Sequence, residues 1–251
     1  MHDLDIVIPV YNEGQNIVDV LDALGRSVQT PFRILICYDE DSDDTLPAVR
    51  QYRRATFDIQ FVKNRGTGVL QAILSGFQAS TAPAVLVFPA DDTFNAGIID
   101  QMVQKSKEGC DIVAASRLMR GGGIEGCPWL KLALLRLSAF TLYHFARIPT
   151  RDASNGFRLF SRRVLESLEV ESGQGFAFSI ELLVKCRRLG WKVGEVPALW
   201  FERKKGQSRF RLMRWLPGYL RWFGYAFATT YLFRGPKTVT LKSSLTEPPS
   251  G

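Results

Sequence analysis

Acidic side chains stand at two places where a predicted strand ends. Asp39 follows the second apolar run of the chain, and Asp91 with Asp92 follows the fourth. Carboxylates accept hydrogen bonds from a base or a ribose, and they can also hold a divalent cation. We expect Asp39 to meet the N–H of a base, and Asp91 with Asp92 to hold Mg²⁺ or Mn²⁺ against a departing diphosphate. Two structural alternatives stay open, because Asp39–Asp44 also suits a solvated turn and Asp91-Asp92 could cap a helix.

Glycine and arginine add two further candidates. Gly66-Thr67-Gly68 would let the backbone approach a ligand closely, although the same pattern also starts ordinary helices. Arg117 follows the fifth predicted strand, and a guanidinium group matches a phosphate with two hydrogen bonds. An arginine in this position could equally be a solvated surface residue.

Composition limits the classes of function. The chain has 251 residues, which is enough for one α/β domain with a full core, and its net charge of +7 favours an anionic partner. Nucleic acid, acidic lipid and a phosphorylated substrate all meet that criterion. The four cysteines show no metal-binding or redox spacing, so we expect reduced thiols in a cytoplasmic protein. Two histidines leave little material for a histidine-rich metal site or a serine–histidine triad.

Strands and helices alternate along the first half of the chain. Predicted strands cover residues 4–10, 32–38, 59–62, 84–88 and 112–115, and predicted helices cover 15–28, 46–54, 66–78 and 98–107. This order is typical of an α/β fold with a mostly parallel central sheet flanked by helices. Ligands in such sheets bind beyond the carboxyl ends of the strands. We therefore expect the polar clusters that follow the strands to converge on one site.

Two later stretches are rich in apolar and aromatic residues. Residues 130–148 and 215–233 both carry internal charges, so neither is a clean membrane span, and both are predicted to lie as amphipathic helices in a membrane interface. The alternative is that they pack in the core with a solvated basic edge. We divide the chain into a catalytic domain over 1–210, an amphipathic membrane-interface region over 211–235 and a disordered tail over 236–251.

A series of short motifs occurs in the order found in one known family, although no single motif is specific. They are Val7-Ile8-Pro9-Val10-Tyr11-Asn12-Glu13, Tyr38-Asp39, Asp43-Asp44-Thr45, Asn64-Arg65-Gly66-Thr67-Gly68, Ala90-Asp91, Ser116-Arg117, Asp152-Ala153-Ser154-Asn155-Gly156-Phe157-Arg158, Glu195-Val196-Pro197 and Arg203-Lys204-Lys205-Gly206-Gln207-Ser208. With them the chain resembles the family 2 inverting glycosyltransferases of the nucleotide-diphosphosugar (GT-A) fold. Within that family it is most similar to the group that glycosylates polyprenyl or dolichyl phosphate.

The resemblance implies roles for individual residues. The nucleotide pocket would be lined by Pro9, Tyr11, Glu13, Asp39 and Gly66. The acceptor phosphate would contact Arg117 and Lys131, and the donor diphosphate would contact Arg203. The catalytic residues would be Asp91, Arg117 and Arg203. Asp91 matches the second acid of the family's Asp-x-Asp metal motif. The first acid of that motif is Pro89 here, so Asp92 or water would have to replace a ligand. Glu40 likewise replaces a glycine of the family's acidic turn.

The predicted function is inverting transfer of a sugar from a nucleotide diphosphate sugar to a polyprenyl phosphate, by a protein peripheral on the cytoplasmic face of a membrane. The expected partners are the donor, the lipid acceptor and an anionic membrane surface. A membrane subunit is an additional possible partner, and nucleic acid is not expected as one. A phosphate monoester is already anionic near pH 7, so its attack needs no general base. The alternatives are a transferase of the same fold with a non-lipid glycan acceptor and a non-catalytic nucleotide-sugar-binding homologue.

Overall fold

The computed structural model describes residues 2–173, 175–201, 212–232 and 239–242. The elements, in chain order, are β1 Leu4–Pro9, α1 Ile17–Ser27, β2 Phe32–Tyr38, α2 Thr45–Gln51, β3 Asp58–Lys63, α3 Val69–Ala79, β4 Ala84–Val87, a 3₁₀ turn Ala96–Ile98, α4 Ile99–Lys107, β5 Ile112–Ser116, β6 Gly123–Glu125, α5 Trp129–His144, β7 Arg158–Ser161, α6 Arg162–Ser167, α7 Phe178–Arg188, β8 Val193–Pro197, β9 Leu199–Phe201 and α8 Leu212–Tyr231.

Seven strands form the central sheet in the order β3-β2-β1-β4-β7-β5-β8. All neighbours are parallel except β7, which runs antiparallel to both β4 and β5. The prediction of a mostly parallel sheet is confirmed, and so are the five predicted strands within one or two residues at each end. Because β1, β2, β4 and β5 point the same way, the segments that follow them lie along one edge of the sheet.

Two hydrophobic clusters cover the two faces of the sheet. Ile6 and Ile8 of β1 belong to the cluster that also contains the buried side of α1, whereas Val7 belongs to the cluster on the other face, with α3 and α7. This alternation follows from the two-residue period of a strand. A continuous apolar run such as β1 is therefore typical of a strand buried on both faces.

The C-terminal helix contributes to the second cluster. Trp222 and Ala226 of α8 are buried there, and α8 packs along α7. For this inner face the core-packing alternative holds. In the ranges that the structure describes, no helix combines the length and the apolar content needed to cross a bilayer.

The segment 239–242 also packs against the domain. Val239 is buried, Leu241 forms an antiparallel bridge with Leu168, and the backbone N–H of Lys242 donates to the Ser167 carbonyl at 3.0 Å. The prediction of a disordered tail is therefore wrong for these four residues, because an apolar side chain and backbone pairing hold them in place. The rest of the predicted tail lies outside the described residues.

Candidate active site

The acidic turn after β2 holds the loop after β1. Asp43 accepts a hydrogen bond from the backbone N–H of Asn12 at 3.1 Å, and the hydroxyl of Thr45 accepts one from the N–H of Glu13 at 2.9 Å. Asp44 accepts from the next backbone N–H of that loop at 2.9 Å. Asp43 is also buried. Asp43, Asp44 and Thr45 therefore fix the backbone around Tyr11, while residues 40–42 form a turn that is exposed to solvent, as the structural alternative expected.

Asp39 is joined to the glycine-containing loop before α3. Its two carboxylate oxygens accept hydrogen bonds from the side-chain amide of Asn64 at 2.7 Å and from the backbone N–H of Gly68 at 2.8 Å. Gly68 has a φ of 85°, a left-handed value that favours glycine. Asn64 in turn accepts from the N–H of Gly66 at 2.9 Å. Each carboxylate oxygen has further acceptor capacity, so Asp39 can still meet a base N–H, which stays a prediction.

The residues predicted to line the nucleotide pocket occur at the same sheet edge. Pro9 is the last residue of β1, and the half-exposed ring of Tyr11 lines a small cleft of about 30 Å³ together with Glu40. The carboxylate of Glu13 accepts a hydrogen bond from the side chain of Asn16 at 2.7 Å, just before α1. Contact of these side chains with a nucleotide stays a prediction.

Asp92 holds the turn that follows β4 through its side chain. Its carboxylate accepts hydrogen bonds from the backbone N–H groups of Phe94 at 2.9 Å and Asn95 at 3.0 Å, and from the Asn95 side chain at 2.6 Å. Burial raises the pKa of Asp92 and outweighs these hydrogen bonds, which act in the opposite direction. These hydrogen bonds hold a turn ahead of the 3₁₀ turn Ala96–Ile98 and reach no helical N–H, so Asp92 is not the helix cap that was its structural alternative. The role of Asp92 as a metal ligand stays a prediction alongside that of Asp91.

Asn95 connects the Asp92 segment to β9. Its side chain donates to the carbonyl of Leu199 at 2.7 Å and accepts from the Leu199 N–H at 2.8 Å. The ring of Phe94 also lies 4.4 Å from that of Phe201, measured between centroids. Phe201 is two residues before Arg203 in the chain. Arg203 itself, which was predicted to bind the donor diphosphate, lies outside the described residues.

Arg117 forms a buried ion pair with Asp152. Its Nε and Nη2 donate to the two carboxylate oxygens at 2.6 and 2.9 Å, and its backbone N–H adds a third hydrogen bond at 3.0 Å. Burial by itself would raise the pKa of Asp152, but the charge and hydrogen bonds of Arg117 lower it below its usual range. Burial would likewise lower the pKa of Arg117, and the Asp152 carboxylate raises it instead. Both groups are therefore charged at neutral pH.

A second arginine lies beneath this pair. Arg158 is fully buried and donates to the backbone carbonyls of Asp152, Ala153 and Ser179. Burial lowers the pKa of Arg158 to about 9, so the group is still protonated at neutral pH. Burial also raises the pKa of Tyr219 on α8 to about 12, against the opposing effect of the Arg158 and Arg117 charges.

A cavity of about 380 Å³ opens beside Arg117, between the loop after β5 and helix α5. Its lining is Arg117, Leu118, Met119, Gly122, Gly123, Ile124, Arg136, Ala139, Phe140, Tyr143, His144 and Arg151. The loop can fold back over Arg117 because Gly122 has no side chain, since a Cβ there would lie 2.5 Å from the Ser116 carbonyl oxygen. The size is within the range of ligand pockets, about 300–1,000 Å³.

The sequence analysis assigned no site role to Arg136, His144 or Arg151. Arg151 is held by Glu195, which accepts from its guanidinium at 2.6 Å and from its backbone N–H at 2.8 Å. The sequence could have placed Arg136 on the same helical face as Phe140 and Tyr143, which follow it by four and seven residues and also line the cavity. For Arg151 no local pattern existed, because its partner is 44 residues away.

Lys131 lies elsewhere on α5 than the cavity-lining residues. Its ammonium group is 5.2 Å from the centroid of the Trp200 ring on β9. The structure thus brings Arg117 to the cavity and directs Lys131 towards β9. Contact of either residue with an acceptor phosphate stays a prediction.

Helix α5 exposes an apolar face next to the cavity. Leu130, Leu134, Leu137 and Phe140 are each more than half exposed, at 56%, 51%, 61% and 53%. Their spacing puts them on one side of the helix, and Phe140 both borders the cavity and belongs to this face. For these side chains the core-packing alternative does not hold. Exposed apolar patches of this kind mark binding surfaces for proteins, lipids or ligands.

Comparison with known proteins assigns this arrangement to a family. A profile described as "Glycosyl transferase family 2" matches residues 5–169. The chain belongs to glycosyltransferase family 2. A dolichol-phosphate mannosyltransferase of Pyrococcus furiosus is 25% identical over 229 residues, covering 84% of this chain and 64% of that protein. A polyprenol monophosphomannose synthase of Mycolicibacterium smegmatis is 26% identical over 211 residues, covering 81% of this chain and 79% of that protein.

Solved structures show the same fold for this family 2 glycosyltransferase. The glucosyl-3-phosphoglycerate synthase of Mycobacterium tuberculosis, crystallised with Mn²⁺, UDP and glucosyl-3-phosphoglycerate, superposes with a TM-score of 0.63 at 17% identity. The match covers 91% of this chain and 80% of that one. The predicted GT-A fold and the assignment to the glycosyltransferases are confirmed. The chain matches just under two thirds of the length of the Pyrococcus relative.

Proposed function

We propose that this glycosyltransferase transfers a sugar from a nucleotide diphosphate sugar to the phosphate of a polyprenyl lipid. The observation that carries the proposal is the cavity lined by Arg117, Arg136 and Arg151, which adjoins the exposed apolar face of α5. A phosphate group is bound best by guanidinium groups, and an isoprenoid chain gains free energy from contact with apolar surface. The names of both relatives combine a polyprenol-type lipid, phosphate and mannose, which supports the same acceptor chemistry here.

The reaction is a direct displacement. An oxygen of the lipid phosphate attacks the anomeric carbon from the side opposite the nucleotide, and a new carbon–oxygen bond forms. The bond from that carbon to the donor diphosphate breaks, and its electron pair leaves with the diphosphate, so the anomeric configuration inverts. The phosphate monoester is already deprotonated near pH 7 and requires no general base. The chain's task is to hold the two reacting groups in line and to exclude water.

The carboxylate of Asp91 suits a divalent cation that binds together with the donor. Among the residues that the structure describes, no group of three or more histidine, cysteine or acidic side chains could hold a metal by itself. Mg²⁺ and Mn²⁺ sites at phosphate substrates commonly use one or two carboxylates, with phosphate oxygens and water as the other ligands. Asp91 would supply the carboxylate, since the Asp92 carboxylate already holds the turn before the 3₁₀ segment. When bound, the cation would neutralise charge on the departing diphosphate.

We further propose that the protein acts at the cytoplasmic face of a membrane, with α5 against the lipid. The four cysteines are free thiols, as expected in a reducing compartment. Exposed leucine and phenylalanine side chains on α5 would enter the bilayer surface, and nearby arginines would face anionic lipid, which attracts each basic residue by about 1 kcal/mol.

A transfer assay tests the proposal. The purified chain is incubated with labelled GDP-mannose, UDP-glucose or UDP-N-acetylglucosamine and with Mn²⁺ or Mg²⁺, and the acceptor is polyprenyl phosphate or a soluble glycan. We expect one donor to give a lipid-linked product that requires the lipid phosphate. Product of equal yield without the lipid, on a glycan acceptor, would support the non-lipid alternative. No transfer from any donor would support the non-catalytic alternative.

A further inference from the structure

We propose that Arg136 is a further residue that binds the acceptor phosphate. Its guanidinium group has no carboxylate partner among the described residues, and its positive charge is therefore available to the phosphate. This inference rests on the proposed function, since it names the residue that would recognise the lipid phosphate. The two other arginines of the cavity wall each have a carboxylate partner. Asp152 holds Arg117 through two side-chain hydrogen bonds, and Glu195 holds Arg151.

Arg136 differs from both of these residues. It lines the same cavity, but it forms no hydrogen bond or ion pair with any residue in the described part of the chain. Its side chain is exposed to solvent at the cavity mouth. An arginine whose donors are not engaged by the protein is the one that can form a bidentate contact with an incoming phosphate.

The charges around the cavity match a phosphate monoester. Asp152 neutralises Arg117 and Glu195 neutralises Arg151, which leaves Arg136 as the arginine of the cavity wall whose charge no described carboxylate pairs. None of the lining side chains is acidic. A phosphate monoester carries about −1.5 to −2 charges at pH 7. An unpaired guanidinium group in a lining without acidic side chains is complementary to this anion.

The position of Arg136 on α5 also explains how a lipid phosphate would be oriented. Phe140 lies one helical turn after Arg136, and side chains four residues apart are neighbours on a helix, with about 5–6 Å between their Cβ atoms. Phe140 is both a cavity residue and part of the exposed apolar face. A phosphate held by Arg136 would therefore put the first isoprene unit at Phe140 and direct the chain along α5.

Steady-state kinetics of charge variants test the inference. Arg136→Gln removes the charge, Arg136→Lys keeps it, and Arg120→Gln is the matched control, because Arg120 is an exposed arginine of the adjacent loop that does not line the cavity. We expect Arg136→Gln to raise the KM for polyprenyl phosphate about 10- to 100-fold, the range for a lost hydrogen bond to a charged group, with an unchanged KM for the donor. Arg136→Lys should recover part of the loss. An acceptor KM for Arg136→Gln equal to that of Arg120→Gln would overturn the inference.

A binding measurement separates this inference from the proposed function. Calorimetry compares a ten-carbon isoprenyl phosphate with the corresponding alcohol on the same three variants and the wild type. We expect the wild type to prefer the phosphate, and Arg136→Gln alone to lose that preference. If the wild type transfers no sugar to any lipid phosphate yet shows this Arg136-dependent binding, the function fails and the phosphate site stands. If transfer to the lipid occurs and Arg136→Gln keeps the full preference, the function stands and the role of Arg136 is wrong.

Discussion

Replacement of Asp152 by asparagine tests the ion pair beside the cavity most directly. Asp152 is fully buried and accepts three hydrogen bonds from Arg117, two of them from the guanidinium group. Asparagine keeps the shape and one oxygen acceptor but removes the charge, so the guanidinium groups of Arg117 and Arg158 lose their carboxylate. Removing one partner of a buried pair costs about 3–5 kcal/mol of unfolding free energy. Because one acceptor oxygen remains, we expect a loss at the lower end, about 3 kcal/mol.

The matched control is Glu195→Gln, which removes the same charge from the other cavity pair. Its partner Arg151 is 47% exposed, so solvent screens the interaction. The Glu195 side chain is only 13% exposed, so we expect its replacement to cost about 1 kcal/mol, the upper end of the range for solvent-screened pairs. We therefore expect the two variants to differ clearly in stability although each loses one carboxylate beside an arginine.

The dependence on pH identifies the charge of Asp152 as the cause. The pKa of Asp152 in the folded protein is lower than in the unfolded chain, where it is about 3.9. Its stabilising contribution is therefore fully present above about pH 4 and is lost as the pH falls through the lower, folded-state pKa. The stability difference between wild type and Asp152→Asn should stay constant between pH 7 and 5, and should narrow only below about pH 4.

Urea unfolding followed by circular dichroism at several pH values provides the measurement. A loss of less than about 1 kcal/mol at pH 7, similar to that of Glu195→Gln, would refute the reasoning. A difference that already shrinks between pH 7 and 5 would also refute it, since Asp152 would then not be the group that titrates.

Three further changes have defined outcomes. Asp91→Asn should lower kcat about 100-fold or more, because a bound metal stabilises the charge of the transition state by several kcal/mol, and the melting temperature should stay unchanged. Full activity of this variant would contradict the assignment of Asp91 as a metal ligand. Leu134→Gln combined with Leu137→Gln should weaken sedimentation with anionic vesicles about 10-fold or more without loss of stability, and unaltered binding would exclude α5 as the membrane contact. Lys185→Met should lower the free energy of unfolding by about 3–5 kcal/mol, because the buried Glu181 carboxylate, 2.7 Å from the ammonium group, loses its cation. Addition of Glu181→Leu should recover part of this stability. A Lys185→Met variant as stable as the wild type would contradict the expectation.

Local patterns predicted the elements that alternate regularly. β2 was predicted at the residues where it occurs, and α4 was predicted within one residue, because apolar periodicity is a property of neighbouring residues. The antiparallel strand β7, Arg158–Ser161, was not predicted. It is four residues long and follows an irregular stretch, and only its two neighbours in the sheet make it a strand. The same applies to the bridge between Leu168 and Leu241.

The candidate site could be predicted in position but not in its pairings. Parallel strands carry whatever follows them to one sheet edge, so the placement of Asp39, Asp91 and Arg117 along that edge followed from the order of elements. The sequence offered a helix cap or a metal ligand for Asp92, and it did not predict the turn that the Asp92 carboxylate holds. Nothing in the sequence distinguished Arg136, without a partner among the described residues, from Arg117 with its buried carboxylate.

The sequence by itself determined the family, the sheet with its flanking helices, and which acids and arginines stand at the strand ends, because each of these depends on residues close together in the chain. The tertiary structure alone decided which of those charges are already paired. Arg117 and Asp152 are 35 residues apart, and Asn95 and Leu199 are 104 apart. Whether a side chain is buried, engaged or open to a substrate depends on distance in space, which the packing of the whole chain sets.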